Sequence, residues 1–262
     1  MRRQVSAELK KFRTIWSTWL ILGITAFVTA ALTSVIAFAP RRHDRGGVIL
    51  AVRGSAHWFD SVFSILTVSL DLALVLGILC MTGEYRHKTI TPTYLAEPRR
   101  GRVVASKLVA SVLGGAVVGV VAGAVSLVFG LSVVAGGIGN LSTMLTEYRH
   151  VFPGVLAAAV LYAVYGVGLG ALLKNQVVAI VVGLGVTAIV EPIVVGVVPA
   201  VGKWLPGQAA QALESVTANV SRGFGGGITQ LVPWWQGGLA LLGYGLVLAV
   251  TGALTTLRSD VT

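Results

Sequence analysis

GEYRHKTITPTYLAEPRRGR, residues 83–102, separates two long apolar runs. Eight of its twenty residues are Glu, Arg, Lys or His, in a chain where 11% of residues are charged. The runs on either side, 60–82 and 106–134, could dissolve in lipid. A charged segment between two such runs is where a membrane-embedded helix pair meets an aqueous phase. The hydrocarbon core of a bilayer is about 30 Å thick, and a helix crosses it with about 20 apolar residues.

Beyond these two runs, four further stretches qualify, at 17–39, 151–173, 177–199 and 233–257. The composition agrees: 55% of residues are hydrophobic, and the mean hydropathy is +0.84. In lipid every backbone polar group must be satisfied within a helix or a closed barrel. The apolar runs are continuous rather than alternating, so helices are expected. The expected fold class is an all-α membrane protein, with residues 1–262 forming a single domain of six transmembrane helices. The 33 glycines do not imply disorder, because small residues let membrane helices approach closely.

The first 16 residues predict a short amphipathic helix, over about 4–16. Val5, Leu9, Phe12 and Trp16 recur at helical spacing, and Glu8, Lys10, Lys11 and Arg13 take the remaining positions. Such a helix lies in the membrane interface, with its basic residues toward anionic lipid. The basic start, the apolar run and Ala37-Phe38-Ala39 imitate a secretory signal. The run is too long for a signal core, so a retained first span is expected. Trp16 and Trp19, Trp58 and Phe59, and Trp234 and Trp235 mark span edges, since Trp prefers the headgroup level.

Lys and Arg set the orientation. With the amino terminus inside, 13 of the 20 fall on cytoplasmic segments, although Arg41, Arg42 and Arg45 oppose this choice. An even number of spans puts both termini in the cytoplasm. The net charge of +10 is then membrane topology, and nucleic acid is not an expected partner.

The third span carries Gly115-x-x-x-Gly119-x-x-x-Gly123, a groove for a second helix of this chain or of another. Two acids fall inside spans: Asp71 near the middle of the second, and Glu191 in the outer third of the fifth. An intramembrane acid costs several kcal/mol, so it faces a cavity or a partner. Both could line a transport path or carry protons; equally, both could be structural, with Ser64 or Ser69 as partner for Asp71. Pro192 predicts a kink in span five, with the Glu191 carboxylate bonding the freed backbone. Between spans five and six, 206–220 reads as a short helix with Ala209, Ala212, Leu213 and Val216 on one side, inserted over the outer end of the bundle.

Several chemistries find no support. The four histidines are scattered, and the single cysteine, Cys80, makes neither a disulfide nor a metal cluster within the chain. Residues 196–204 end in Gly-Lys-Trp, with spacing one residue too long for a phosphate-binding loop. Gly166, Gly168 and Gly170 lie in an apolar run with no preceding strand, so no dinucleotide site is expected. No catalytic residue, metal ligand or cofactor is assigned to this chain.

An amphipathic amino-terminal helix, six spans, and Gly83-Glu84-Tyr85-Arg86-His87-Lys88-Thr89-Ile90-Thr91, followed by Pro98-Arg99-Arg100 and Lys107, together resemble the permease subunit of type-2 ABC exporters. The nearest likeness is to actinobacterial drug- and antibiotic-efflux members. The resemblance implies an elbow helix at the amino terminus and a cytoplasmic coupling helix between spans two and three. It places ATPase coupling on Glu84, Tyr85, Arg86, Lys88 and Thr89, with Arg99 and Arg100 beside them. It implies a separate ABC ATPase subunit in two copies, carrying the ATP and Mg. It also implies a second permease copy or a homologous permease, and the plasma membrane of a bacterium. The chain itself would not be an enzyme, and its cargo would be hydrophobic or amphiphilic. Two other functions fit the residues: a stand-alone proton-linked transporter using Asp71 or Glu191, and a non-transporting anchor or sensor subunit for an ATPase.

Overall fold

The computed structural model describes residues 2–38, 59, 62–87, 89, 100–137, 141–147, 149–214 and 231–258. Among these residues there is no strand. The helices are α1 (Arg2–Thr14), α2 (Trp16–Phe38), α3 (Leu66–Arg86), α4 (Arg100–Ala135), α5 (Leu141–Glu147), α6 (Val151–Leu173), α7 (Gln176–Gly185), α8 (Glu191–Val197), α9 (Pro199–Gly202), α10 (Pro206–Glu214) and α11 (Trp234–Arg258). Six segments are long and apolar enough to cross a membrane: α2, α3 with the turn before it, α4, α6, α7 together with α8, and α11. The chain is a helical protein of multi-pass membrane character.

Helix α6 is the hub, packing against α3, α4, α10 and α11. Two-thirds of the α3 and α6 spans (67% each) are buried inside the bundle, against 22% for α2 and for α7–α8. Two spans are therefore inner and the others peripheral. The sequence of α6 explains this, because its Ala and Gly residues admit neighbours on several sides. A Cβ at Gly166 would collide with the Leu74 carbonyl oxygen of α3, and one at Gly77 with the Ala163 carbonyl oxygen. Gly168 faces α11, where an added Cβ would lie 2.8 Å from the Gly245 carbonyl oxygen. The stripe on α4 also faces α6, with contact loosening along the helix. An added Cβ would meet the Ala159 carbonyl at 2.6 Å from Gly115, Leu156 Cα at 3.1 Å from Gly119, and Phe152 Cδ1 at 3.5 Å from Gly123. The groove is filled by this chain's own fourth span.

Helix α4 has 36 residues, about 54 Å at 1.5 Å per residue. It begins at Arg100, within the segment expected to couple, so the end of that segment is continuous with span three. Helices α6 and α7 are joined by two residues. Lys174 adopts φ 53° and closes α6 by donating its amide to the Gly170 carbonyl at 3.0 Å. Asn175 caps α7, its side chain accepting from the Val177 and Val178 amides.

Two expectations need correction. Phe59 is fully buried beside Val62, Phe63 and Met144, and stacks on Phe63 at 6.3 Å between centroids. It is core, whereas Trp16, Trp19, Trp234 and Trp235 are exposed. Span five is interrupted by a π-helical turn at Val186–Val190, just before Pro192, which has no amide to continue the ladder. The Glu191 carboxylate does not bond backbone freed by Pro192. What proline frees is a carbonyl acceptor, which a carboxylate cannot pair with, and Glu191 Oε2 instead accepts from the Gly207 amide at 2.8 Å. The Ser69 hydroxyl, one of the two partners offered for Asp71, donates to the Leu66 carbonyl of its own helix.

Helix α10 wedges between α6 and α11, with seven of its nine residues buried. Val216, expected on its apolar side, lies outside the described residues. Its first turn is held by Glu191, and its last residue, Glu214, accepts from the Thr67 hydroxyl of α3 at 2.7 Å.

Candidate functional site

Where α1 crosses the bases of α3 and α4, four charged side chains meet. Glu8 and Lys11 come from α1, Glu84 from the last turn of α3, and Lys107 from the first quarter of α4. Helical spacing explains the α1 pair. Glu8 lies three residues after Val5 and four before Phe12, on the face turned to the bundle. Phe12 packs beside it, near the Gly114 backbone of α4.

Glu84 Oε1 accepts from Lys11 Nζ at 2.8 Å and pairs with Lys107 Nζ at 3.0 Å. Glu8 Oε1 accepts from Lys11 Nζ at 2.9 Å and lies 3.6 Å from Lys107 Nζ. Lys107 Nζ also donates to the Cys80 carbonyl at 3.0 Å. Lys107 is 1% exposed, Glu84 6% and Glu8 7%. A lysine that deep is tolerated only when its charge is paired and its protons are bonded. Two carboxylates and two ammonium groups alternate, so the cluster is formally neutral. Burial alone would lower the pKa of Lys11, but hydrogen bonds from its ammonium to Glu84 and Glu8, with their charges, raise it above its ordinary value of 10.5.

Chemically, this arrangement is a fastener. It holds no nucleophile paired with a base, and among the described residues no three His, Cys, Asp or Glu side chains gather as metal ligands. What it does is tie three helices at one end of the bundle through charge-assisted contacts.

The other residues singled out in the sequence distribute as follows. Tyr85 is half-buried beside the packed Met81, Val104, Val167 and Ala171. Arg86 is exposed, its Nη1 3.4 Å from Gln176 Oε1 of α7. Thr89 is exposed, its amide donating to the Glu84 carbonyl at 2.9 Å, which closes the end of α3. Lys88 and Arg99 lie outside the described residues, and Arg100 opens α4. Asp71 is half-buried on α3, and Glu191 is buried against α10. The sequence reading put Glu8 and Lys11 on the polar face of α1, with Lys11 toward anionic lipid, and passed over Glu214.

The fold and this cluster define a class: a multi-pass helical membrane protein whose amino-terminal helix is ion-paired to the bases of two spans. The chain matches no protein-family model and no curated protein.

Proposed function

We propose that this chain is the transmembrane subunit of an ATP-driven exporter. In this reading it sits in a bacterial plasma membrane with both termini in the cytoplasm. It pairs with a second copy or a homologous permease, and each permease rests on an ABC ATPase that binds the ATP and Mg. The cargo is hydrophobic or amphiphilic.

The supporting observation is the ion cluster. It joins α1 to α3 and α4, the two helices that flank the charged segment 84–102. Force applied to that segment is therefore shared by three elements at once. Arg86 and Thr89 are exposed at this end and available to a docked ATPase, whereas Glu84 is buried. Glu84 thus transmits movement instead of touching the partner, a narrower role than the resemblance gave it. Glu191, bonded to the Gly207 amide, serves here to hold α10 over the opposite end of the path.

The test is assembly. Affinity-tagged chain is extracted from its native membrane in mild detergent, and the intact complex is weighed by native mass spectrometry. Two permeases with two nucleotide-binding subunits are expected. A complex with a single permease and no ATPase rejects the proposal.

A further inference from the structure

Beside the ion cluster lies a cavity of about 360 Å³, within the size range of small-ligand sites and room for about a dozen waters. Phe12, Ile15, Ile21, Leu76 and Leu79 supply an apolar wall. The charged lining is uneven. Among the described residues the lining holds Lys11, Lys107 and Arg86 against Glu8 and Glu84, leaving one formal positive charge with His87 counted as neutral. Lys11 and Lys107 are the pair that the two carboxylates neutralise. The surplus therefore falls on Arg86, whose hydrogen-bond partner is the neutral amide of Gln176. Arg86 and His87 are exposed, and Thr89 adds a hydroxyl to the lining.

The depth of this cavity is also marked. It is built from the start of α2, the end of α3 and the start of α7, all at one end of the bundle. Trp16 and Trp19, both exposed, flank the same stretch of α2, and exposed Trp at a span end belongs at headgroup level. A mouth with surplus positive charge, above an apolar wall, at headgroup depth, fits one chemistry: a phosphate-bearing anion attached to a hydrocarbon chain.

We infer that this cavity is a binding site for one anionic phospholipid, its phosphate at Arg86 and His87 and its upper acyl chain along Ile15, Ile21, Leu76 and Leu79. The inference needs the chain to sit in a membrane but not the exporter function; both draw on Arg86, and lipid retention is measured with no ATPase present, so either can fail without the other. A lipid seated there wedges α1 against the span bases, so its presence would set how firmly the amino-terminal helix is held.

Gly83 provides a clean test. It lines the cavity, and a Cβ built on it meets nothing within 4 Å. Gly83→Leu therefore fills the space without a backbone collision. Gly23→Leu is the control, since Gly23 is equally open but is not part of the lining. The full chain is placed in nanodiscs containing equal phosphatidylglycerol and phosphatidylcholine, then re-extracted, and retained lipids are counted by native mass spectrometry. Short-chain phosphatidylglycerol, short-chain phosphatidylcholine and inorganic phosphate are titrated against thermal unfolding in parallel. Wild type and G23L should retain one phosphatidylglycerol and be stabilised by that lipid alone. G83L should lose at least about ten-fold in affinity, and R86Q about five-fold, as expected for one surface cation. Equal retention of both lipids, or unchanged retention in well-folded G83L and R86Q, overturns the inference. Stabilisation by inorganic phosphate equal to that by the lipid overturns it too, in favour of a free anion.

Discussion

Lys107→Met should destabilise this protein more than almost any other single change at a charged position, and a second mutation should rescue it. Lys107 Nζ lies 3.0 Å from Glu84 Oε1 and 3.6 Å from Glu8 Oε1, with 1% of the side chain exposed. At an effective dielectric of about 20, each contact is worth about 5 kcal/mol of attraction, much of it offset by the cost of dehydrating the charges. Methionine restores the volume but leaves Glu8, Glu84 and Lys11 with a net negative charge where both carboxylates are buried. Breaking one member out of a buried ion pair costs about 3–5 kcal/mol. Glu84→Leu should cost a similar amount, because it strands Lys107. The double variant removes both charges, and replacing a buried pair by apolar residues is close to neutral. It should therefore recover most of the loss, with a coupling energy of about 2–4 kcal/mol against additivity. Unfolding in mixed micelles, followed by circular dichroism for wild type, both singles and the double, measures that coupling. Strictly additive losses would mean that the two side chains do not feel each other, and the fastener would be an accident of side-chain placement.

On α4, alanine substitutions should rank by distance: Gly115→Ala worst, Gly119→Ala intermediate and Gly123→Ala close to neutral, because the obstructing atoms lie at 2.6, 3.1 and 3.5 Å; thermal unfolding of the three variants checks the order. Glu191→Leu should cost about 1–3 kcal/mol by leaving the Gly207 amide buried without its acceptor, and Glu191→Gln, which keeps an acceptor oxygen, should recover much of it in the same assay. The raised pKa of Lys11 gives a pH sign. The proton is held more tightly in the folded state, so this contribution is complete below pH 10.5 and declines as pH rises through the higher folded value. Spin labels on α1 and α3 should therefore stay close up to pH 10.5 and separate above it, and separation beginning near neutral pH would contradict the pairing.

The spans were legible because continuous apolar runs of bilayer length have one solution in lipid. The close contacts of Gly115 and Gly119 were legible as spacing, but their partner was not, since spacing describes one surface and the α6 face that meets it, Phe152, Leu156, Ala159, Val160 and Ala163, has no complementary motif of its own. Glu8 shows a different limit. Its place between Val5 and Phe12 already put it on the inward face, yet its charge argued for solvent. The contradiction disappears only when Lys107, 99 positions away in sequence, is known to lie beneath it. Phe59 was misjudged for a related reason: an aromatic at a span edge and an aromatic in a core have the same local sequence. At Glu191 an interruption of span five was readable from Pro192, but the partner was not, because Gly207 reaches it through the folding back of α10.

The exporter proposal stands or falls on what touches the exposed end of α3. A photo-crosslinking amino acid at position 89, activated in native membranes containing the intact chain, reports that contact at one residue. The expected product is a covalent adduct to a nucleotide-binding subunit, identified by peptide mapping and labelled by an azido-ATP analogue, and lost when Arg86 is replaced by Ala. Adducts to lipid alone, from a chain that is folded and present at normal levels, would contradict it.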